Sequence, residues 1–271
     1  MKMVESNKIR LTGAANDFIA QKLAQGIVSF SLPELTVATG LSTIAAKNQL
    51  YRLGDLVTRV TQRQQYFLIV APEHRAIGAP PVEYWLDDYF AWLKRPYYLA
   101  LQSAAAVFGS SQQAVQETQV MTSTPIREML IGRIRLRFFA KSGIKNTITQ
   151  KTPNAYAPLA ISTPAATLFD LIRYAASIGG IERVAETIAP MVPLIKATAL
   201  RQVMNAEQEL ATTQRLGFVL DGIQADALAK VVYDWLPSGL KIVPISTHTA
   251  DDRQALISKK WAIRNNSNSF Q

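Results

Sequence analysis

Between Ile131 and Lys145 the chain reads IGRIRLRFFAKSGIK, with Arg133, Arg135 and Arg137 on alternate positions and Lys141 and Lys145 behind them. From Arg127 to Lys151 there are seven Lys or Arg against one acid, Glu128. In a strand, successive side chains point to opposite faces, so the arginines face one way and Ile134, Leu136 and Phe138 the other. The apolar face is core. A stripe of guanidiniums on a rigid strand suits phosphate oxygens, which accept paired N–H donors. It adds affinity and register on a nucleic acid without reading its sequence. Two other uses fit the same residues: pairing with acids of the same domain, such as Asp87 and Asp88, or a surface for RNA or for an acidic protein.

A second concentration of candidate residues lies near the N-terminus, in STIAAKNQLYRLG (Ser42–Gly54). At ~100° per residue, Ala46, Leu50 and Leu53 form one stripe, continued by Val57, and face a core. The other side then shows Ile44, Lys47, Asn48, Tyr51 and Arg52, with Thr43 at its start. An Ile and a Tyr facing water are wasteful; in a major groove, beside an Asn and two cations, they have a use. Arg59 and Arg63 follow on a hairpin and suit phosphates or the minor groove.

Catalytic chemistry finds little support. The chain has no Cys and two His, His74 and His248, and neither sits in an HExxH or beside a nucleophile elbow. No P-loop and no GxGxxG occurs. Asp170 stands in an apolar helical stretch, where the expected arrangement is an ion pair with Arg173 or with another basic residue. Glu83, Asp87 and Asp88 form an acidic face opposite Trp85, Tyr89 and Trp92, read as solvated rather than as a metal site. No cofactor and no metal is expected.

The elements that position these residues can be read from caps and periodicity. Phe18, Ile19 and Leu23 mark a first helix over Thr12–Ala24. Ser31-Leu-Pro-Glu34 is a capping box that starts a short helix, Leu32–Thr39, with Gly40 at its end. Ser42 caps a third helix that Gly54 ends, and Leu56–Thr61 and Tyr66–Val70 form a hairpin across QRQQ. Helix, helix, turn, helix, hairpin is the order of a winged helix-turn-helix. The stretch PEHRAIGAPP (Pro72–Pro81) is the expected linker, giving domains at 1–78 and 79–271. Beyond it we expect helices on either side of Arg95-Pro96, strands over Val115–Thr122 and Ile131–Ala140, and a helix capped at Ser162-Thr-Pro164 and ending before Gly179-Gly180. Further helices are expected near Ile181, over Pro193–Met204 and over Ala206–Leu216, then strands in GLKIVPIS and KKWAIRNN. The fold class is α+β: an N-terminal winged helix-turn-helix followed by a larger mixed α+β domain.

Composition agrees with a folded, polyanion-binding protein. The chain has 271 residues, 48% hydrophobic and 18% charged, with a formal net charge of +9 and an isoelectric point of about 9.7. No run approaches the ~18 apolar residues of a membrane span, and MKMVESNKIRLTG has no apolar signal core, so a cytoplasmic protein without membrane contact is expected.

The order of segments resembles the AbiEi family, antitoxins of type IV toxin–antitoxin systems used in abortive phage infection. The segments that carry the resemblance are the leading helices and hairpin, PYYLALQSAAAVFGSSQQAVQETQVMTS, IGRIRLRFF, ISTPAATLFDLIRYAASIGGIERVAETI, TTQRLGFVLD and KKWAIRNN. Two departures stand out: Val107-Phe108-Gly109 where the family often has a His, and Ala165 where an acid often follows the STP. The resemblance implies a non-enzymatic autorepressor that binds inverted repeats of double-stranded DNA in its own promoter. It also implies an antitoxin domain acting against a nucleotidyltransferase-like toxin, without a lasting complex. On that reading Arg133, Arg135, Arg137, Lys141 and Lys145 resemble the family's second basic surface. The alternatives are a nuclease-like C-terminal domain fused to a DNA reader, with Asp170 as its test, and a toxin-binding interaction module.

Overall fold

Ser31 and Glu34 satisfy one another at the start of a helix: the Ser31 hydroxyl accepts from the Glu34 amide and the Glu34 carboxylate accepts from the Ser31 amide, both at 3.3 Å. The computed structural model in which this is seen describes residues 13–110, 117–153, 157–246 and 255–266. The chain divides into two compact units, Met1–Lys94 with Met129–Arg135, and Arg95–Glu128 with Leu136–Gln271.

The first unit opens with α1 (Ala14–Ala24), β1 (Ser29–Ser31) and α2 (Leu32–Thr39), the last ending on Gly40 at φ 68°, a left-handed position that suits Gly. Then α3 (Thr43–Arg52) starts at Ser42, whose hydroxyl accepts from the Ala45 amide at 3.2 Å. A hairpin of β2 (Val57–Arg59) and β3 (Tyr66–Ile69) closes the motif. β1 adds to the far side of β3, so the sheet order is β1-β3-β2, antiparallel throughout. Phe18, Phe30 and Phe67 form the centre of the core, with Phe30 edge-on to Phe18 and stacked on Phe67 at 5.4 and 5.5 Å between centroids. Leu35, Ala46 and Leu50 seal the three helices onto them.

Two later segments also pack in this unit. In α4 (Leu86–Leu93), Tyr89 is fully buried and its ring lies 5.3 Å from that of Tyr66. The compact division therefore falls after Lys94, not at the expected 78/79: Tyr89 and Trp92, beyond the Pro-rich stretch, pack against Tyr66 of the hairpin. The turn at Gly132 also packs in this unit. The Arg133 amide donates to the Ile77 carbonyl at 2.8 Å. A Cβ on Gly132 would lie 2.1 Å from that same oxygen, and Gly132 has φ +57°, so the close approach of backbone to backbone requires glycine twice over.

The second unit contains β4 (Tyr97–Leu99), α5 (Leu101–Val107), β5 (Thr118–Thr122), then, past β6 (Met129–Ile131) of the first unit, β7 (Ile134–Ala140), whose first two residues are counted with that unit, β8 (Thr149–Lys151) and β9 (Ala160–Ser162). Its strands run in the order β7-β5-β4-β9-β8. The β7–β5 and β4–β9 pairings are parallel, and β5–β4 and β9–β8 antiparallel. Against this sheet lies α6 (Pro164–Arg173), capped by Thr163 with Pro164 at its first position, and every residue from Ala165 to Ile172 is buried. Around it stand α7 (Gly180–Ile188), α8 (Ala197–Glu207), α9 (Leu210–Gly222) and α10 (Asp226–Trp235). The two-residue strands β10 (Val243–Pro244), β11 (Ile257–Ser258) and β12 (Ile263–Arg264) follow. The Trp261 ring packs closely against α9: a Cβ at Gly217 would fall 2.1 Å from it. Gln214 donates from its amide nitrogen to the carbonyls of Trp261 and Lys241, both at 3.0 Å, fixing the C-terminal strands to the same helix.

The α+β class is what the sequence led us to expect, and several elements differ in detail. Tyr97–Leu99 is strand rather than helix, because its residues alternate against Val120 and Met121 of β5. The strand expected over Ile131–Ala140 is broken at Gly132. β1, β8, β9, α10 and β11 were not anticipated, and α8 and α9 each begin four residues later than expected. The strand expected from Val115 begins at Thr118, with 111–116 outside the described residues. Among the described residues no helix is long and apolar enough to cross a membrane.

Candidate nucleic-acid interface

The core face of α3 is settled by Ala46 and Leu50, both buried. With Leu53 beneath them, the opposite face carries Ile44 at 73% exposure and Tyr51 at 89%. Lys47 and Asn48 stand between these two, three and four positions on from Ile44, so the four side chains line one face over two turns. Thr43 and Arg52, at the two ends of the helix, are exposed as well. No acid lies in the first turn of α3. Val37, on the neighbouring α2, is exposed to 85% and escaped the sequence reading. Its signal was available: Leu32 and Leu35 fix the buried side of α2, and position 37 is about 200° from 35. Arg59 and Arg63 are exposed at the hairpin, and the Arg59 guanidinium rests 5.3 Å from the centre of the Phe67 ring.

The arginine stripe is not one uniform surface. Arg133 lies at the Gly132 turn instead of in a strand, and it is exposed, as is Arg135. Arg137 is half-covered: it contacts Glu117 at 3.5 Å, donates to the Ser177 carbonyl at 3.0 Å and stacks over Phe139 at 4.9 Å. Two positions on, Phe139 is buried, and two further Lys141 is 1% exposed. Along this side of β7 and just past its end the cover thickens, until the Lys141 ammonium is sealed from solvent. Lys145 is exposed, on a single 3-10 turn, Ile144–Asn146. The structure thus withdraws Lys141 from the expected basic surface.

Lys141 is instead the centre of a buried polar network. Its ammonium donates to Asp170 Oδ1 at 2.8 Å and to Glu207 Oε1 at 2.6 Å. The Tyr98 hydroxyl donates to Asp170 Oδ2 at 2.8 Å, and the Thr147 hydroxyl donates to Glu207 Oε1 at 3.0 Å. Asp170 is wholly buried, and desolvation pushes its carboxyl above the ordinary range even though Lys141 and Tyr98 pull it down. Burial, with the Asp170 charge beside it, raises the Tyr98 phenol as well. Arg173, the first expected partner of Asp170, turns outward to Glu209 at 2.8 Å and to Glu207 at 3.6 Å. Asp170 therefore holds a basic residue elsewhere in the fold, the second of the two expected arrangements. Each carboxylate oxygen of Asp170 already has a protein partner within 2.8 Å, the arrangement of an ion pair inside a core.

Glu83, Asp87 and Asp88 are exposed, as expected of a solvated face, and Asp88 accepts a long bond from the Ser29 hydroxyl, 3.4 Å. Among the described residues no group of three His, Asp or Glu side chains could hold a metal ion. His74 is half-buried in the 3-10 turn Pro72–His74, and His248 lies outside the described residues.

No match was found among curated proteins. The chain is similar in structure to the RV2827C protein from Mycobacterium tuberculosis, with a TM-score of 0.68 at 15% identity over 94% of this chain and 92% of that one. That likeness shows a shared fold. An antigenic nucleotidyltransferase-like protein from Paracoccidioides brasiliensis aligns over 56% of this chain and 90% of that one, at a TM-score of 0.34 and 9% identity, too far apart in shape to bear on this chain. The family model of the AbiEi antitoxin C-terminal domain matches residues 98–222. This segment runs from Tyr98 of the buried network through the end of α9, and it contains Lys141, Asp170 and Glu207. Residues 98–222 thus match the AbiEi antitoxin C-terminal domain, the family that the order of segments resembles.

Proposed function

We propose that this chain is an antitoxin that represses its own promoter. Residues 14–71 form a winged helix-turn-helix that binds double-stranded DNA at inverted repeats, with α3 in the major groove and the β2–β3 hairpin as the wing. The second unit counteracts a nucleotidyltransferase-like toxin, and no lasting complex with that toxin is required. The molecule works by binding, without catalysis, in the cytoplasm.

The observation that carries the DNA reading is the outward face of α3. Ile44 and Tyr51 are 73% and 89% exposed beside Lys47 and Asn48, on a helix capped at its N-terminus and pinned by a full apolar core on the other side. The element order α1-β1-α2-α3-β2-β3 and the sheet order β1-β3-β2 support a winged helix. The antitoxin domain at 98–222 supports the remaining half of the reading.

The test is binding of the full chain to the DNA upstream of its own reading frame, followed by fluorescence anisotropy over a salt series. Affinity should fall steeply with salt, because each phosphate neutralised releases counterions and adds about 0.9 to the log–log slope. Lys47→Ala and Arg52→Ala should weaken binding and release a promoter–reporter fusion from repression with the fold intact. No binding even in dilute salt would sink the reading. For the antitoxin half, co-expression with the neighbouring toxin should restore growth, including with Lys47→Ala if protection is independent of DNA.

A further inference from the structure

We propose that Val37, Ile44 and Tyr51 contact the C5 methyl groups of thymines, so that the operator is recognised through its A·T pairs. The inference rests on α3 meeting duplex DNA and adds which chemical group on the bases it reads. Val37, Ile44 and Tyr51 are exposed to 85%, 73% and 89%. All three stand on α2 and α3, on the side turned away from the core formed by Leu35, Ala46 and Leu50. Three large apolar groups held in water on two short helices have a cost, and burial in a partner removes it.

The surrounding charge selects the partner. Lys47 and Arg52 lie on α3, and Arg59 and Arg63 on the hairpin, all exposed. The acid of α2, Glu34, is taken up by the Ser31 cap and by an ion pair with Lys22. An apolar surface framed by cations fits a polyanion that itself offers apolar groups. In the major groove each base edge presents hydrogen-bonding atoms, and thymine alone presents a methyl. Asn48, between Ile44 and Tyr51 on the same face, is the side chain whose amide pairs with adenine N6 and N7, the partner base of that thymine.

The experiment compares two duplexes of the upstream DNA, one natural and one with every thymine replaced by deoxyuridine. This removes the methyl and keeps all Watson–Crick hydrogen bonds. Each methyl contact should be worth about fourfold in Kd, the equivalent of ~0.8 kcal/mol for burying one methylene-sized group. We expect the full chain to bind the deoxyuridine duplex at least ~10-fold more weakly. Val37→Ala with Ile44→Ala, both at exposed positions that leave the core untouched, should lose most of that discrimination. Lys47→Ala should weaken both duplexes alike and preserve the ratio. Equal binding of the two duplexes by the unmodified chain would overturn the methyl reading while leaving the repressor reading in place. A preference that persists undiminished in the double variant would also overturn it, since it would report DNA shape. If the apolar trio instead covers a protein partner, the double variant will bind DNA normally, which again overturns the proposal. Failure to bind either duplex would remove the repressor reading itself.

Discussion

Replacing Lys141 by Met should cost the second unit about 3–5 kcal/mol at pH 7, the usual price of leaving buried charge without its partner. Lys141 and Asp170 side chains are 0% exposed and that of Glu207 4%. Met fills much of the lysine stem but returns none of the two charge-assisted bonds at 2.8 and 2.6 Å. Two carboxylates are then left facing each other, with Arg173 at 3.6 Å from Glu207 as the remaining cation. The effect depends on pH in a definite direction. The Asp170 carboxyl is already raised by desolvation, so the folded state holds its proton more firmly than the unfolded chain. The penalty of ionising it is absent below the ordinary carboxylate range and grows as pH rises toward the raised value. Without Lys141 that value moves higher still, so the loss from Lys141→Met should be small in acid and largest near neutrality. Native-state hydrogen exchange of α6 and β7 amides reads the second unit by itself. Adding Asp170→Leu and Glu207→Gln should recover much of the loss, because apolar replacements of a buried ion group are often neutral or better. A loss under ~1 kcal/mol, combined with weakened DNA binding by an intact fold, would refute the sealed-network account and return Lys141 to the basic surface.

Other perturbations probe other parts of the molecule. Ser42→Ala removes the cap of α3 and should lower the stability of the first unit by ~1 kcal/mol by denaturant titration, with a matching loss of DNA affinity if α3 is the reading helix. Gly217→Ala places a methyl 2.1 Å from the Trp261 ring; the indole must leave, seen as a red shift and rise in its solvent accessibility by fluorescence quenching. Burial raises the Asp221 carboxyl, but bonds from Lys260 and Trp261 and the Lys260 charge outweigh that and hold it below the usual range. Its contribution is thus full above the ordinary carboxylate pKa and lost as pH falls through the lowered one. Asp221→Asn should flatten that acid limb in an acid-unfolding titration. Arg133→Ala should reduce the salt slope of DNA binding by about 1 without changing sequence preference, if this exposed guanidinium meets a phosphate.

The parts of the fold legible in the sequence were those written in local physics. The Ser31–Glu34 cap, Gly40, the Ser42 cap and the Thr163-Pro164 start are each decided within four residues, and each helix start stands where those residues put it. β1 and Tyr97–Leu99 were not legible because three-residue strands carry too little periodicity. They exist because Phe30 has Phe67, and Tyr98 has Met121, as register partners far away in sequence. The outward face of α3 followed from its apolar stripe. The fate of Lys141 did not: the alternation Arg133, Arg135, Arg137 continues into Phe139 and Lys141, and nothing local says that Asp170 and Glu207, 29 and 66 residues on, will close over its end. The apolar Phe139 between the arginines and Lys141 was the one hint that this face turns inward.

The return of Met129–Arg135 to the first unit, locked where Gly132 lies against Ile77, bears on how the molecule is made. Synthesis runs from the N-terminus, so the leading helices and hairpin leave the ribosome complete in themselves but lacking one piece of their surroundings. That piece is translated roughly forty residues after Lys94, a delay of roughly 2–8 seconds at ~5–20 residues per second. During the interval the Ile77 carbonyl in the 72–81 stretch lacks its Arg133 donor, and a nascent chain stalled before residue 135 should be cut there by protease and protected once Arg135 has emerged.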